Sequence, residues 1–204
     1  MKNIYCILML FSMLFTFGQH EYTYYNKDVQ RIVLENSGEK YFSYSQTGVI
    51  QLFNADHTPW KTINITLPSN NYSFFVSHIS ETLINPDTNL EIIYGTYSAP
   101  GIRRSKIINE LGTELLSEEN CYRFLVDKKD ELESKIISST GVIYSLPSLA
   151  IEHSYPSINY ANVTRVKLEN SGEKYYYLDR TNGLAVLYNA DHTFWKNIVL
   201  PKPD

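Results

Sequence analysis

From about residue 29 onward, apolar positions fall into short runs rich in Tyr, Ile, Val and Phe, separated by turn residues. No window keeps the 3.6-residue spacing of an amphipathic helix, so the pattern predicts an all-β chain. Strands are predicted at 29–35, 39–45, 48–54 and 60–67, then at 72–82, 90–97, 102–109 and 113–117. A third group covers 121–127, 131–138 and 141–146, and a last one 162–169, 173–179, 184–189 and 194–200. Asn36-Ser37-Gly38, Thr47-Gly48, Leu111-Gly112, Thr140-Gly141 and Asn182-Gly183 sit between such runs and read as tight turns, which join antiparallel neighbours into meanders. Several runs are apolar on both faces: Val49 to Phe53 and Leu184 to Tyr188 hardly alternate, and Tyr175-Tyr176-Tyr177 places rings on both sides. A sheet with one wet face alternates, so these sheets are expected to stack face to face about 10 Å apart. Groups of about 40 to 45 residues match the blades of a propeller. The predicted fold is therefore antiparallel meander sheets stacked as propeller-like blades, in an open or truncated array, with a β-sandwich as the alternative.

The chain repeats itself. RIVLENSGEKYFSYSQTGVIQLFNADHTPWK, from Arg31, returns from Arg165 as RVKLENSGEKYYYLDRTNGLAVLYNADHTFWK, with Asn182 inserted. The copies start 134 residues apart, which leaves room for about three blade-like sheets per period. Leu-Glu-Asn-Ser-Gly-Glu-Lys-Tyr, Asn-Ala-Asp-His-Thr and Trp-Lys are unchanged between copies, whereas Ser43 to Gln46 differ from Tyr177 to Arg180. The kept segments read as turns and their anchors, the drifted ones as strand faces and a loop tip. The expected organisation is a signal segment at 1–19, a first module of three sheets at 20–157, and a second, incomplete copy at 158–204 packed on the first. Its structural anchors are Gly38, Asp56, His57 and Trp60 with their counterparts Gly172, Asp191, His192 and Trp195. Both tryptophans are expected to be buried, Trp195→Ala costing about 3 to 5 kcal/mol as a large core truncation. The last sheet, short of a successor, is expected to leave an apolar face open for self-association.

Residues 1–19 change the picture of where this fold works. Lys2, an apolar run from Ile4 to Phe17 and the small polar end Gly18-Gln19 form a secretory signal pattern, too short for the about 20 residues of a membrane span. The protein is expected to be secreted or at the cell surface, or periplasmic if no sorting domain follows, with no membrane span after cleavage. Beyond that segment Cys121 stands alone, so burial rather than a disulfide holds the fold, and Cys121 reads as a small buried hydrophobe. A net charge of −4 with basic residues at most in pairs offers no stripe for nucleic acid.

Candidate chemistry is thin. Asp56-His57 and Asp191-His192 supply a carboxylate beside an imidazole, but an arrangement built twice suits an Asx-type turn better than one active site. Asn85, Asp87, Asn89 and Glu91 place oxygens at every second position, loosely like a calcium loop without the EF-hand spacing. Ser37-x-x-Lys40 and Ser171-x-x-Lys174 match a penicillin-binding motif only in letters, because that chemistry needs the serine on a helix and here it lies in a turn. Seventeen tyrosines suit buried sheet faces before they suit a sugar platform. No cofactor motif is present.

The unit GEKYYYLDRTNGLAVLYNADHTFWKNIVLP, with Glu81-Thr-Leu-Ile-Asn-Pro-Asp-Thr-Asn-Leu-Glu-Ile-Ile-Tyr94 and Ile107-Ile-Asn-Glu-Leu-Gly-Thr113, resembles the repeats of flavobacterial secreted and cell-surface proteins exported through the type IX system. Those proteins usually end in a C-terminal sorting domain, which this sequence does not show. The resemblance implies an exported, secreted or cell-surface repeat protein. An enzyme should show a non-repeated cluster of catalytic residue types, and none is seen, so the expected function is a non-enzymatic surface or binding module whose partner is a glycan or a cell-surface protein. The alternative is a polysaccharide-active enzyme, such as a glycoside hydrolase, using loop carboxylates among Glu118, Glu119, Asp130 and Glu131.

Overall fold

The computed structural model describes residues 29–85, 87, 89–128, 134–155 and 163–201; the expected signal segment lies outside them. Among the described residues there is no helix, and the strands form four antiparallel sheets of four, each a meander in sequence order. The first sheet holds β1 (Gln30–Leu34), β2 (Gly38–Tyr44), β3 (Val49–Asn54) and β4 (Pro59–Asn64). The second holds β5 (Asn71–Ser80), β6 (Glu91–Ser98), β7 (Ile102–Asn109) and β8 (Glu114–Glu119). The third is β9 (Phe124–Asp127), β10 (Lys135–Ser138), β11 (Val142–Ser145) and β12 (Ile151–Ser154). The fourth, built by the second copy, is β13 (Thr164–Leu168), β14 (Gly172–Asp179), β15 (Leu184–Asn189) and β16 (Phe194–Val199). The sequence pattern missed β12, which is four residues long and pairs with β11 through a bulge at Ile143/Tyr144.

Each sheet packs on the next in chain order, because strand positions alternate between two neighbours. Phe42, Ile50, Leu52 and Ile63 of the first sheet share a core with Phe74, Val76, Ile92 and Tyr94 of the second. One residue on, Ile93 and Ile107 turn the other way and meet Phe124, Ile136 and Tyr144 of the third. Ile137 and Ile143 then face Tyr175 of the fourth, whose ring is wholly buried. The second and third sheets are thus apolar on both faces for the reason read from the sequence: each is a middle layer.

The two copies occupy the stack in the same orientation, and this gives them different surroundings. Tyr175, Tyr177 and Tyr188 look back at the third sheet, while their counterparts Tyr41, Ser43 and Phe53 lie on the outer face of the first. Conversely, Phe42, Tyr44 and Ile63 look forward to the second sheet, and their counterparts Tyr176, Leu178 and Ile198 lie on the outer face of the fourth. Leu178 and Ile198 are accordingly 39% and 44% exposed.

Polar clasps fix the first two sheets at the hairpin that the repeat preserves. Gly38 and Gly172 sit at φ 68° after identical three-residue turns, in identical register with Leu34 and Leu168. In the first copy Glu81 takes the N–H groups of Asn36 (2.5 Å) and Ser37 (2.9 Å) on one oxygen and the Ser37 hydroxyl on the other. Glu35 returns the contact, accepting from the Glu81 N–H at 2.9 Å and the Ser80 hydroxyl at 2.8 Å, and pairs at 2.8 Å with Lys128, which directly follows β9 of the third sheet. Burial works against the charge on Glu35, but the Glu81 N–H, the Lys128 ammonium and the Ser80 hydroxyl outweigh it and lower its pKa to about 2. The folded pKa lies below the unfolded value of about 4.3, so the clasp contributes stability above that value and loses it as pH falls toward 2. Urea melts between pH 7 and pH 3 should show a steep acid loss that Glu35→Gln makes shallower; equal slopes in both proteins would show that the clasp carries no such linkage.

Candidate functional site

The repeated Asn-Ala-Asp-His-Thr segment is a turn in both copies. Asn54 N–H donates to Thr58 O and His57 N–H to Asn54 O, and Asn189, His192 and Thr193 reproduce both bonds. Asp56 Oδ1 accepts the Thr58 N–H at 3.0 Å and its hydroxyl at 2.7 Å, and Asp191 does the same for Thr193 at 3.0 and 2.6 Å. These bonds hold Asp56 and Asp191 below the usual carboxylate range, the Thr hydroxyl being the main cause. The histidines carry the turn's left-handed residue, with φ 67° at His57 and 64° at His192. Each ring lies on the tyrosine across the sheet, His57 on Tyr41 at 4.8 Å and His192 on Tyr175 at 4.6 Å. Carboxylate and imidazole therefore serve different neighbours in each copy.

Directly after this turn the register shifts: Leu52 pairs with Lys61 but Phe53 with Pro59, and Leu187 with Lys196 but Tyr188 with Phe194, so the tryptophan is the extra residue of the bulge in each copy. The bulge re-aims its side chain. Trp60 lies between two ammonium groups, Lys40 Nζ at 4.9 Å and Lys61 Nζ at 5.1 Å from the ring, and Trp195 lies between Lys174 at 5.0 Å and Lys196 at 4.1 Å. This corrects the expectation of buried tryptophans: both are only half-buried, and what each copy preserves is a lysine–tryptophan–lysine stack. The Ser-x-x-Lys spacing has the same origin, since Lys40 Nζ donates back to the Ser37 carbonyl at 2.8 Å and Lys174 to that of Ser171. Among the described residues only the first stack is docked: Trp60 packs on the core between the first two sheets, and Lys61 bridges to both Glu110 oxygens at 2.9 and 2.6 Å.

A polar cluster between the third and fourth sheets went unread in the sequence. His192 Nδ1 meets the Tyr155 hydroxyl at 2.7 Å, and Nε2 meets Glu152 Oε1 at 3.1 Å. His153 stacks on the His192 ring at 4.3 Å and 4°. Lys135 joins the Glu152 carboxylate at 2.6 Å to the Tyr175 hydroxyl at 2.8 Å. Burial opposes the charge on Glu152, yet the bonds from Lys135 and His192 hold its pKa low; burial followed by the His192 charge holds that of His153 low. Burial pushes the Tyr155 phenol well up. Tyr155 and Tyr175 are 2% and 0% exposed, while Glu152 and His153 reach the surface. The cluster fastens the fourth sheet to the third, helped by Arg165 on Asp127 at 2.5 Å. The signal that could have revealed it is the alternation Ile151-Glu152-His153-Ser154-Tyr155.

The remaining candidates are also spoken for. In the calcium-like stretch, Glu91 is buried and accepts the N–H groups of Leu83 at 3.1 Å and Asn85 at 3.2 Å. Asn85 Oδ1 takes the Asp87 N–H at 3.2 Å and Asp87 Oδ1 that of Asn89 at 2.7 Å. These oxygens cap a turn, and among the described residues no group of three or more His, Cys, Asp or Glu is placed to hold a metal ion. Glu118 accepts from the Ser138, Thr140 and Tyr144 hydroxyls, tying β8 to the third sheet, and Glu119 pairs with Arg104 at 2.5 Å. Asp130 and Glu131 lie outside the described residues. Cys121 is fully buried, and burial raises its pKa.

Compared with known proteins, the chain matches no family model and no curated protein. Among solved structures it is similar to a protein of unknown function from Bacteroides caccae, at 14% identity and a TM-score of 0.39. That match covers 85% of this chain, which spans 62% of the length of the other.

The different settings of the two tryptophans set an expected order of cost. Trp60→Ala should destabilise by about 3 kcal/mol, because it also opens the core between the first two sheets. Trp195→Ala, with no sheet over it, should cost about 1 kcal/mol. Urea melts of both variants decide it; equal losses would show that the two stacks are equally covered.

Proposed function

We propose that this chain is an exported, non-enzymatic repeat scaffold that binds a protein partner at the face of a terminal sheet. One observation carries the reading: the side chains that could do chemistry are engaged in holding turns and sheets, whereas the outer faces of the first and fourth sheets carry exposed apolar residues. Leu178 and Ile198 stand out on the fourth; on the first Val33 is 68% exposed, but Ser43 and Phe53 beside it are covered. Contiguous faces of this kind mark interaction surfaces. Flat aliphatic and tyrosine-bearing faces suit another protein surface better than a glycan, which needs convergent hydrogen-bonding groups in a cleft. Export is supported by the signal pattern at 1–19, and the surface or secreted location by the resemblance of the repeat unit to flavobacterial exported proteins. The glycoside hydrolase alternative loses support with Glu118 and Glu119, each committed to neighbouring groups.

The full chain without residues 1–19 should bind no polysaccharide on a glycan array and release no reducing sugar from the same polysaccharides. Turnover that Glu118→Gln and Glu119→Gln abolish would overturn the reading in favour of an enzyme.

A further inference from the structure

Resting on that reading, we infer that the outer face of the fourth sheet is built to receive a four-stranded sheet of the same kind as this chain's second sheet, carried by a different protein. The duplication supplies the template. The first sheet presents this face to the second sheet, so every contact there states what the equivalent position of the fourth sheet can accept.

The apolar part corresponds in kind. Phe42, Tyr44, Leu52 and Ile63 pack on Phe74, Val76, Ile92 and Tyr94, and at those positions the fourth sheet has Tyr176, Leu178, Leu187 and Ile198, of which Leu178 and Ile198 are exposed and Leu187 is already buried among its neighbours. The charged part corresponds too. Lys61, stacked on Trp60, takes Glu110 of the second sheet. Lys196 stacks on Trp195 in the same way and is exposed, and among the described residues no carboxylate pairs with it. The turn Asn36-Ser37 gives two N–H groups and a hydroxyl to Glu81. Asn170-Ser171 repeats that turn and is exposed. Glu35 receives an N–H and a hydroxyl from Glu81 and Ser80; its counterpart Glu169 is exposed. The partner therefore carries one carboxylate opposite Trp195 and Lys196, a second opposite the 170–171 turn, and an aliphatic and aromatic face between them.

Two positions narrow the match. Ala185 stands where Ile50 fills the core, so the partner brings a larger side chain there. Arg180 replaces Gln46, whose amide both donates to Phe74 O at 3.0 Å and accepts from Phe74 N–H at 2.8 Å; a guanidinium only donates, so the partner offers acceptors. A second copy of this chain does not supply such a surface, since both faces of its second sheet are already buried between its own first and third sheets.

The test presents the probe in place. A further copy of residues 66–119, the chain's own second sheet with its connection, is joined after Leu200 of the full chain. The extended protein should unfold about 5 °C higher than the parent. Lys196→Ala should lower the melting temperature of the extended protein at least twice as much as that of the parent. An unchanged melting temperature, or an added segment cleaved by protease while the parent array stays intact, overturns the inference. So does a parent chain that forms a concentration-dependent dimer broken by Leu178→Glu, which would make the occupant a second copy. Polysaccharide turnover by the parent would instead remove the scaffold reading beneath it, so the two failures are told apart.

Discussion

A β-sheet that is apolar on both faces cannot sit alone in water, and the architecture follows from that constraint. The second sheet buries Ile92 and Tyr94 toward one neighbour and Ile93 and Ile107 toward the other. The third does the same with Ile136 and Ile137. Since adjacent strand residues point to opposite sides, each pair of consecutive apolar residues commits its sheet to two neighbours at once. A stack is the simplest arrangement that satisfies all of them.

Apolar faces alone would let sheets slide, and the polar clasps at their edges set the registration. The exchange between Glu35 and Glu81 links two turns 46 residues apart in sequence, and Lys128 extends it toward the third sheet. Glu118 does comparable work between β8 and the third sheet. Between the third and fourth sheets the same task falls to Lys135, Glu152, Tyr155 and His192. Glu35, Glu81, Glu110, Glu118, Asp127 and Glu152 take their partners across sheet boundaries, while Glu39, Glu91, Glu114 and Glu119 take theirs within one sheet.

What was legible in the sequence was local. The turns at Gly38, Gly172, Asp56 and Asp191 are decided within a few residues by side chains that bond their own backbone, so the letters suffice. Strand positions were readable wherever Tyr, Ile and Val recur between turns. The four-residue β12 was lost because so short a run has almost no periodicity, and with it went Glu152, His153 and Tyr155. Trp60 and Trp195 were expected in the core on size alone; the bulge at each, which no residue type announces, turns them into lysine-flanked rings at half exposure. The calcium-like spacing of Asn85 to Glu91 looked the same in sequence whether its oxygens met a cation or their own backbone. The direction in which each sheet faces was not legible either, because both copies carry apolar residues on both sides.

That orientation is the centre of the account, and hydroxyl-radical footprinting with residue-level mass spectrometry tests it most directly. On the full chain, Tyr155 and Tyr175 should be protected, while Val33, Leu178 and Ile198 are oxidised readily. Labelling of Tyr175 as fast as that of Leu178, or protection of Leu178 and Ile198 together, would show that the fourth sheet faces the other way and contradict the stack described.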